Sequence, residues 1–476
     1  MTMSPPILTS ERCRVAGARL TRFWDGPGRR VAGAMTTTGS GALASGLLSA
    51  LAAKLLAASG GPAALATLAT LQQVRQAAIV AATVNGQTAL VQGASARVGD
   101  QRREYIRTAV VLMLAATLSV AAALLRFPGV LLRVVGMPPE AAPAFRWLVA
   151  ATTFSTLFVF CTALLNALGR IRALATLQAA APLALAVGIW PAAHTGPALR
   201  PQAFAMLLSI TAAIPAAAGV WLLARSWTRW RHWLRGGGRW WSPRAARAFL
   251  AVSSAMLISG LIASATLIAV RGRIVVHQGL DAAGWFDAAW NISMNQASLL
   301  VASLQTYCLP ALARARSARE QSAHINGVLT LAMPAAAVTI AFVALAKPWI
   351  VELLYAPSFR PAAALLRWTL VGDYFKIGSW ILSLPLLARA DMRAFLLLEV
   401  AAYATFAGLS LGLSRWGTSA ESAAAAFASM YAVHLAAGFV LSRSRCGIRL
   451  NRSAVAVWGA GLAVVTVASG LSWNRL

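Results

Sequence analysis

Charge is scarce in this chain, and acid is scarcer still. Only 12% of its 476 residues are Asp, Glu, Lys or Arg, about half of what a soluble domain carries. The 13 acids face 42 bases, and of those bases only Lys54, Lys347 and Lys376 are lysine. Such a composition excludes an ordinary soluble protein. Cysteine is nearly absent too. Cys13, Cys161, Cys308 and Cys446 are scattered without paired spacing, which excludes a disulfide framework or a cysteine metal site. The five histidines show no ligand spacing, and no catalytic triad, phosphate loop or metal motif occurs. Neither a cofactor nor enzyme activity is expected. A glycan polymerase or glycosyltransferase needs a sizeable loop or domain for catalysis, and no segment between apolar runs is longer than 225–247.

What the chain has instead is long apolar stretches: 59% of it is hydrophobic and the mean hydropathy is +0.67. Runs of about 18 residues or more are the mark of membrane-spanning helices. Hydropathy places spans near 38–58, 65–93, 105–126, 143–168, 172–193 and 203–225. A second set follows near 247–270, 284–312, 325–347, 361–388, 393–414 and 419–441, and 453–471 makes a thirteenth. The expected class is an all-α polytopic membrane protein of two six-helix lobes.

The net charge of +29 is explained by where the arginines sit. With the N-terminus in the cytoplasm, nearly three times as many bases fall on the cytoplasmic side as on the other, as the positive-inside rule requires. No nucleic-acid partner is expected. The divisions are a basic cytoplasmic tail over 1–36, an N-terminal lobe over 37–225 and a linker over 226–246. A C-terminal lobe over 247–441 follows, then a basic segment with the extra span over 442–476. The first 35 residues carry six arginines but no apolar core, so they do not form a signal peptide. "RSWTRWRHWLRGGGRWWSPRAAR" (225–247) suits interfacial tryptophans and contacts with anionic membrane lipids.

The two halves repeat. "FRWLVAATTFSTLFVFCTALLNALGRIRA" (145–173) aligns without a gap on "LRWTLVGDYFKIGSWILSLPLLARADMRA" (366–394). Arg146-Trp147 falls on Arg367-Trp368, while Thr152 and Ser155 fall on Asp373 and Lys376. Six spans per half, both starting inside, give a parallel repeat about an axis along the membrane normal. Transporters built this way carry substrate between the halves.

Two spans are too polar to face lipid. Asp287, Asn291, Asn295, Ser298 and Gln305 share an arc of roughly 80°, and Gln72, Gln76, Thr83 and Gln87 one of roughly 60°, with Arg75 beside them. Such stripes must face protein or water. They serve either hydrogen bonds between helices or a shared aqueous cavity, and their matching repeat positions favour the cavity. Among the charges, Lys54, Arg75, Arg271, Arg273 and Lys376 outnumber Asp373, Asp287 and Glu399. A cavity collecting these cations suits an anionic substrate bearing diphosphate or carboxylate. Simpler readings stand beside this one. Lys54, Arg271 and Arg273 suit interface anchors, Glu399 lies within reach of the headgroups, Asp373 and Lys376 form a neutralising pair three residues apart, and His434 is a packed polar residue.

"YAPSFRPAAALLRWTLVGDYFKIGSWILSLPLLARADMRAFLLLE", "GWFDAAWNISMNQASLLVASLQTYCLPALAR" and "ASGGPAALATLATLQQVRQ" together resemble the Wzx-type polysaccharide flippases. The resemblance runs over about residues 37–441 and is nearest the enterobacterial common antigen branch. Its most specific element is Gly372-Asp373-x-x-Lys376 after Leu366-Arg367-Trp368. It implies the MOP superfamily fold, shared with MATE exporters, in the cell inner membrane. It also implies transfer of an undecaprenyl-diphosphate-linked oligosaccharide, of O-antigen or common-antigen type, from the cytoplasmic to the periplasmic leaflet. A glycan polymerase and chain-length machinery are the protein partners this implies. Lys54, Arg271, Asp373 and Lys376 look like positions where relatives carry the same charge. Lys54, Arg75, Arg271, Lys376, Asn291, Asn295, Gln72 and Gln76 are the expected substrate-binding residues, and Asp373 is the candidate for ion coupling. The chain departs from the pattern at Ala89, where relatives often carry a base, and in its thirteenth span and long tail. A MATE-like exporter of organic cations is the alternative, which the excess of buried cations disfavours.

Overall fold

The computed structural model describes residues 27–194, 201–225, 239–315, 317–389, 391–412 and 419–471. Residues 1–26 of the expected tail and 226–238 of the expected linker lie outside these. Lipid offers backbone groups no partner, so a spanning chain closes its own hydrogen bonds, and a helix does so within one segment. The described residues are accordingly helical, without a strand. In order they form α1 (Pro27–Ala82), α2 (Gln87–Ser95), α3 (Gly99–Arg126), α4 (Pro128–Val135), α5 (Ala144–Ala167), α6 (Ile171–His194) and α7 (Pro201–Ala224). There follow α8 (Pro243–Arg314), α9 (Ala318–Leu354), α10 (Ala362–Ala388), α11 (Met392–Gly412), α12 (Ala420–Cys446) and α13 (Arg452–Leu471).

Nine helices among the described residues are long and apolar enough to cross a membrane. Two of them, Gly46–Ser95 over α1 and α2 and Pro243–Ala297 within α8, each reach into two expected spans, because α1 and α8 are each bent at a glycine. Gly61 (φ 67°, ψ −165°) and Gly279 (φ 84°, ψ 178°) hold a backbone conformation that side chains exclude. Helix α1 begins at Pro27, inside the stretch expected to be tail. The expected second span, 65–93, is interrupted. Val84 (φ 54°) and Asn85 (φ 44°) break the helix between α1 and α2, and Asn85 Nδ2 donates to the Met256 carbonyl of α8 at 2.6 Å.

The repeat is visible in these details. The two bent glycines stand 218 residues apart, and so do Pro143 and Pro361, the N-caps of α5 and α10, both at φ −60°, ψ −23°. A short 3₁₀ turn precedes each cap, Pro139–Ala141 and Pro357–Phe359. Further along, the spacing becomes the 221 of the sequence alignment, because α10 has 27 residues against 24 in α5. In that register Thr152 and Ser155 are buried, like Asp373 and Lys376.

Packing divides the helices into two groups. In the first, α1 lies on α6 and α5 lies on α7; in the second, α10 lies on α8, α9 and α12, with α13 against α9 and α10. Leu56, Leu71, Phe204, Phe286 and Phe427 fill the interior, while Leu118, Phe342, Trp349 and Val467 are exposed, as lipid-facing residues are. The groups meet chiefly along α1 and α8. At one crossing a Cβ on Gly284 would collide with the Pro62 carbonyl, and at another a Cβ on Gly272 would collide with the Val134 carbonyl. Gly284→Val therefore forces two backbones apart and is expected to cost about 1–3 kcal/mol, read as a lower Tm in detergent. Gly129→Val, with nothing within 4 Å, is the matched control, and equal melting of the two variants would count against the contact.

Candidate functional site

Helix α10 is enclosed by α8, α9, α12 and α13, so it has little lipid-facing surface. That enclosure is what allows charges in its middle. Asp373 is fully buried and Lys376 is 9% exposed. Ser293 Oγ donates to Asp373 Oδ1 at 2.9 Å, and Asp373 Oδ2 is buried without a hydrogen-bond partner. Lys376 Nζ donates to Met294 Sδ at 3.1 Å and stands 5.6 Å above the Tyr431 ring. The three-residue spacing does not close into a direct ion pair, although Asp373 and Lys376 remain within each other's electrostatic reach. Each reaches instead for one of two neighbouring residues on α8. A thioether and an aromatic face are soft partners for an ammonium with three donors. An anionic oxygen binds that ammonium more strongly than either.

The polar set continues through α12 and α11. The Tyr431 and His434 rings lie 6.0 Å apart, edge to face. His434 Nε2 lies 3.4 Å from Glu399 Oε1, and Ser259 Oγ donates to Glu399 Oε2 at 3.3 Å. This corrects the reading of Glu399 as a headgroup-seeking residue, whereas His434, 3% exposed, is the packed polar residue expected. The two were missed as partners because they sit on different helices with no shared motif. Lys347 on α9 also escaped notice as a span end. It is 1% exposed and its Nζ has no hydrogen-bond partner.

The other expected residues are spread along the meeting of the lobes. Lys54 Nζ donates to the Leu353 carbonyl at 2.6 Å, a cation at the C-terminal end of α9 where the helix dipole favours it. Arg271 pairs with Asp287, and its Nη1 donates to Gln73 Oε1 at 3.3 Å. Arg271 is therefore engaged in linking α8 to α1. Arg75 is half-buried, with an Nε that has no partner. Gln72 and Asn291 are half-buried, and Gln76 and Asn295 are exposed. The α8 stripe thus grows more exposed from the buried Asp287 to Asn295. The side chains of Ser298 and Gln305 lie outside the described residues. Thr83 turns its hydroxyl back to the Ile79 carbonyl at 2.7 Å. Among the described residues no cluster of three metal-binding side chains occurs.

No family model matches the chain. It is 28% identical over 154 residues to the lipid III flippase of Escherichia coli (strain K12), and equally to that of Shigella flexneri. The match spans 32% of this chain and 37% of the relative's length. Among solved structures, the lipid II flippase MurJ in an inward closed conformation superposes with a TM-score of 0.67 at 11% identity. That superposition covers 93% of this chain and 99% of MurJ. An inward-facing multidrug resistance MATE family transporter of the MOP superfamily gives 0.66 at 15% identity, over 84% and 94%. The chain is an integral membrane protein with the fold of MurJ and the MATE transporters of the MOP superfamily, and over part of its length it is similar in sequence to the lipid III flippase.

Proposed function

We propose that this protein is a flippase. It moves an undecaprenyl-diphosphate-linked oligosaccharide, of O-antigen or common-antigen type, from the cytoplasmic to the periplasmic leaflet of the inner membrane by alternating access. The observation that carries this reading is Lys376: a buried ammonium on the enclosed helix α10, bonded to a thioether and facing an aromatic ring, with the Asp373 carboxylate within its electrostatic reach. The sequence similarity to lipid III flippases supports it. In this reading Lys376 and Arg75 bind the diphosphate, and Gln72, Gln76, Asn291 and Asn295 solvate the sugars. Lys54 and Arg271 join them when the lobe contacts that occupy them part. The prenyl tail stays in lipid, and rocking of the lobes carries the head group across. Asp373, with one free carboxylate oxygen beside that cation, is the residue for ion coupling. The N-terminus lies in the cytoplasm, and glycan polymerase and chain-length proteins receive the product.

The MATE-like exporter shares the fold, but an organic cation would meet the Lys376 ammonium instead of an acid. Deleting the gene is expected to build up a lipid-linked oligosaccharide in the cytoplasmic leaflet, scored by extraction and leaflet-selective labelling. Normal surface glycan with no such build-up would remove the flippase reading.

A further inference from the structure

A cavity of about 1050 Å³ opens at the junction of the first turn of α9, the end of α12 and the start of α13. It belongs to the membrane face that the basic residues mark as cytoplasmic, and none of the expected substrate-binding residues lines it. Arg319, Arg443 and Arg449 line it together with Phe439, Leu450 and Val455, and no acid does. All three arginines are exposed, and among the described residues none of their guanidiniums has a hydrogen-bond or ion-pair partner.

The wall is firmly built without using those side chains. Ser322 Oγ accepts from the Arg449 N–H at 3.0 Å, and Asn326 Nδ2 donates to the Arg449 carbonyl at 2.9 Å. Asn326 Oδ1 accepts from the Asn451 N–H at 2.9 Å. Arg389 donates to the carbonyls of Arg445 at 3.0 Å and Cys446 at 3.1 Å. The backbone of this turn is satisfied from α9 and α10, which leaves its arginines uncommitted.

Depth identifies the ligand class. Hydropathy ends one span at 441 and begins the next at 453, so Phe439 and Val455 lie on the hydrocarbon side and Arg443 and Arg449 beyond it. Phe439 and Arg443 are one turn apart, about 6 Å along the axis. Cationic groups above an apolar wall repeat the layering of a phospholipid, phosphate above acyl chain. A soluble anion has no use for the apolar half.

We infer that this cavity holds an anionic phospholipid of the cytoplasmic leaflet. Its phosphate lies among Arg319, Arg443 and Arg449, and an acyl chain lies along Phe439 and Val455. The inference does not depend on what the protein transports.

The test uses full-length purified protein with phosphatidylglycerol, phosphatidylcholine and undecaprenyl diphosphate as separate probes, and bound lipid is counted by native mass spectrometry. Phosphatidylglycerol is retained in preference to phosphatidylcholine. The triple variant Arg319→Gln/Arg443→Gln/Arg449→Gln lowers that retention about a hundredfold, at about one kcal/mol per basic residue. Arg103→Gln/Arg393→Gln, removing charge elsewhere on the same face, leaves it unchanged. Val455→Trp keeps all three charges but fills the apolar half, and it also reduces retention. Undiminished binding in the triple variant overturns the site, as does an equal loss in the Arg103/Arg393 control. Retention in Val455→Trp with loss in the triple variant marks a simple anion patch and overturns the lipid assignment. Arginine-dependent retention of undecaprenyl diphosphate in preference to phosphatidylglycerol gives the cavity to the transport substrate and overturns it too.

Discussion

Lys376→Ala is expected to abolish complementation of a flippase-deficient strain while leaving the protein level intact. The two halves of this expectation have separate causes. A buried ammonium loses its hydration, and a sulfur at 3.1 Å with a ring at 5.6 Å returns little of it. Removing the charge therefore costs the lobe little direct contact, and what it costs falls on Asp373, which loses its neighbouring cation but keeps the bond from the Ser293 hydroxyl. A diphosphate oxygen, by contrast, forms a charge-assisted bond worth about 1.5–3 kcal/mol, so losing one lowers apparent affinity roughly 10- to 100-fold. Lys376→Arg keeps the charge and is expected to restore part of the function. Full complementation by the alanine variant, checked by surface-glycan staining beside an immunoblot, would leave the cationic site without its central residue.

The reverse pattern is expected at Arg271 and Asp287. Asp287 is fully buried and Arg271 is 6% exposed, so either partner alone is an uncompensated charge in a dry place. Asp287→Ala and Arg271→Ala are each expected to cost about 3–5 kcal/mol, whereas Arg271→Met with Asp287→Leu recovers most of it. Melting curves of the detergent-solubilised protein, read as a double-mutant cycle, measure the coupling. Additive single effects would show that the pair contributes nothing as a pair. The comparison separates two kinds of buried cation: removing Lys376 is expected to stop function, and removing Arg271 to weaken the fold.

The composition and hydropathy make the helical class and the place of nearly every helix legible, because a bilayer admits few alternatives. The repeat is legible too, since Arg146-Trp147 and Arg367-Trp368 stand in matching frames. Partners across helices are harder. Nothing in the spacing of Asp373 and Lys376 tells that each turns to α8, to Ser293 and Met294, instead of to the other. The Glu399–His434 contact depends on how α11 and α12 pack, which periodicity alone does not encode. The bends at Gly61 and Gly279 were hidden for a different reason. Hydropathy sees two apolar runs with a short gap, and it cannot distinguish a loop from a single glycine at positive φ.

The burial of Thr152 and Ser155 opposite Asp373 and Lys376 has a mechanical consequence. The two halves carry different charges at the same helical position, so at that position a hold on an anion is one-sided. In the proposed transport cycle the C-terminal lobe holds a phosphate through Lys376 on α10, and the N-terminal lobe reaches it from a different helix, through Arg75 on α1. Cations at unmatched positions give the two lobes unequal grips, so the charge is never poised between two equal holders halfway across the membrane.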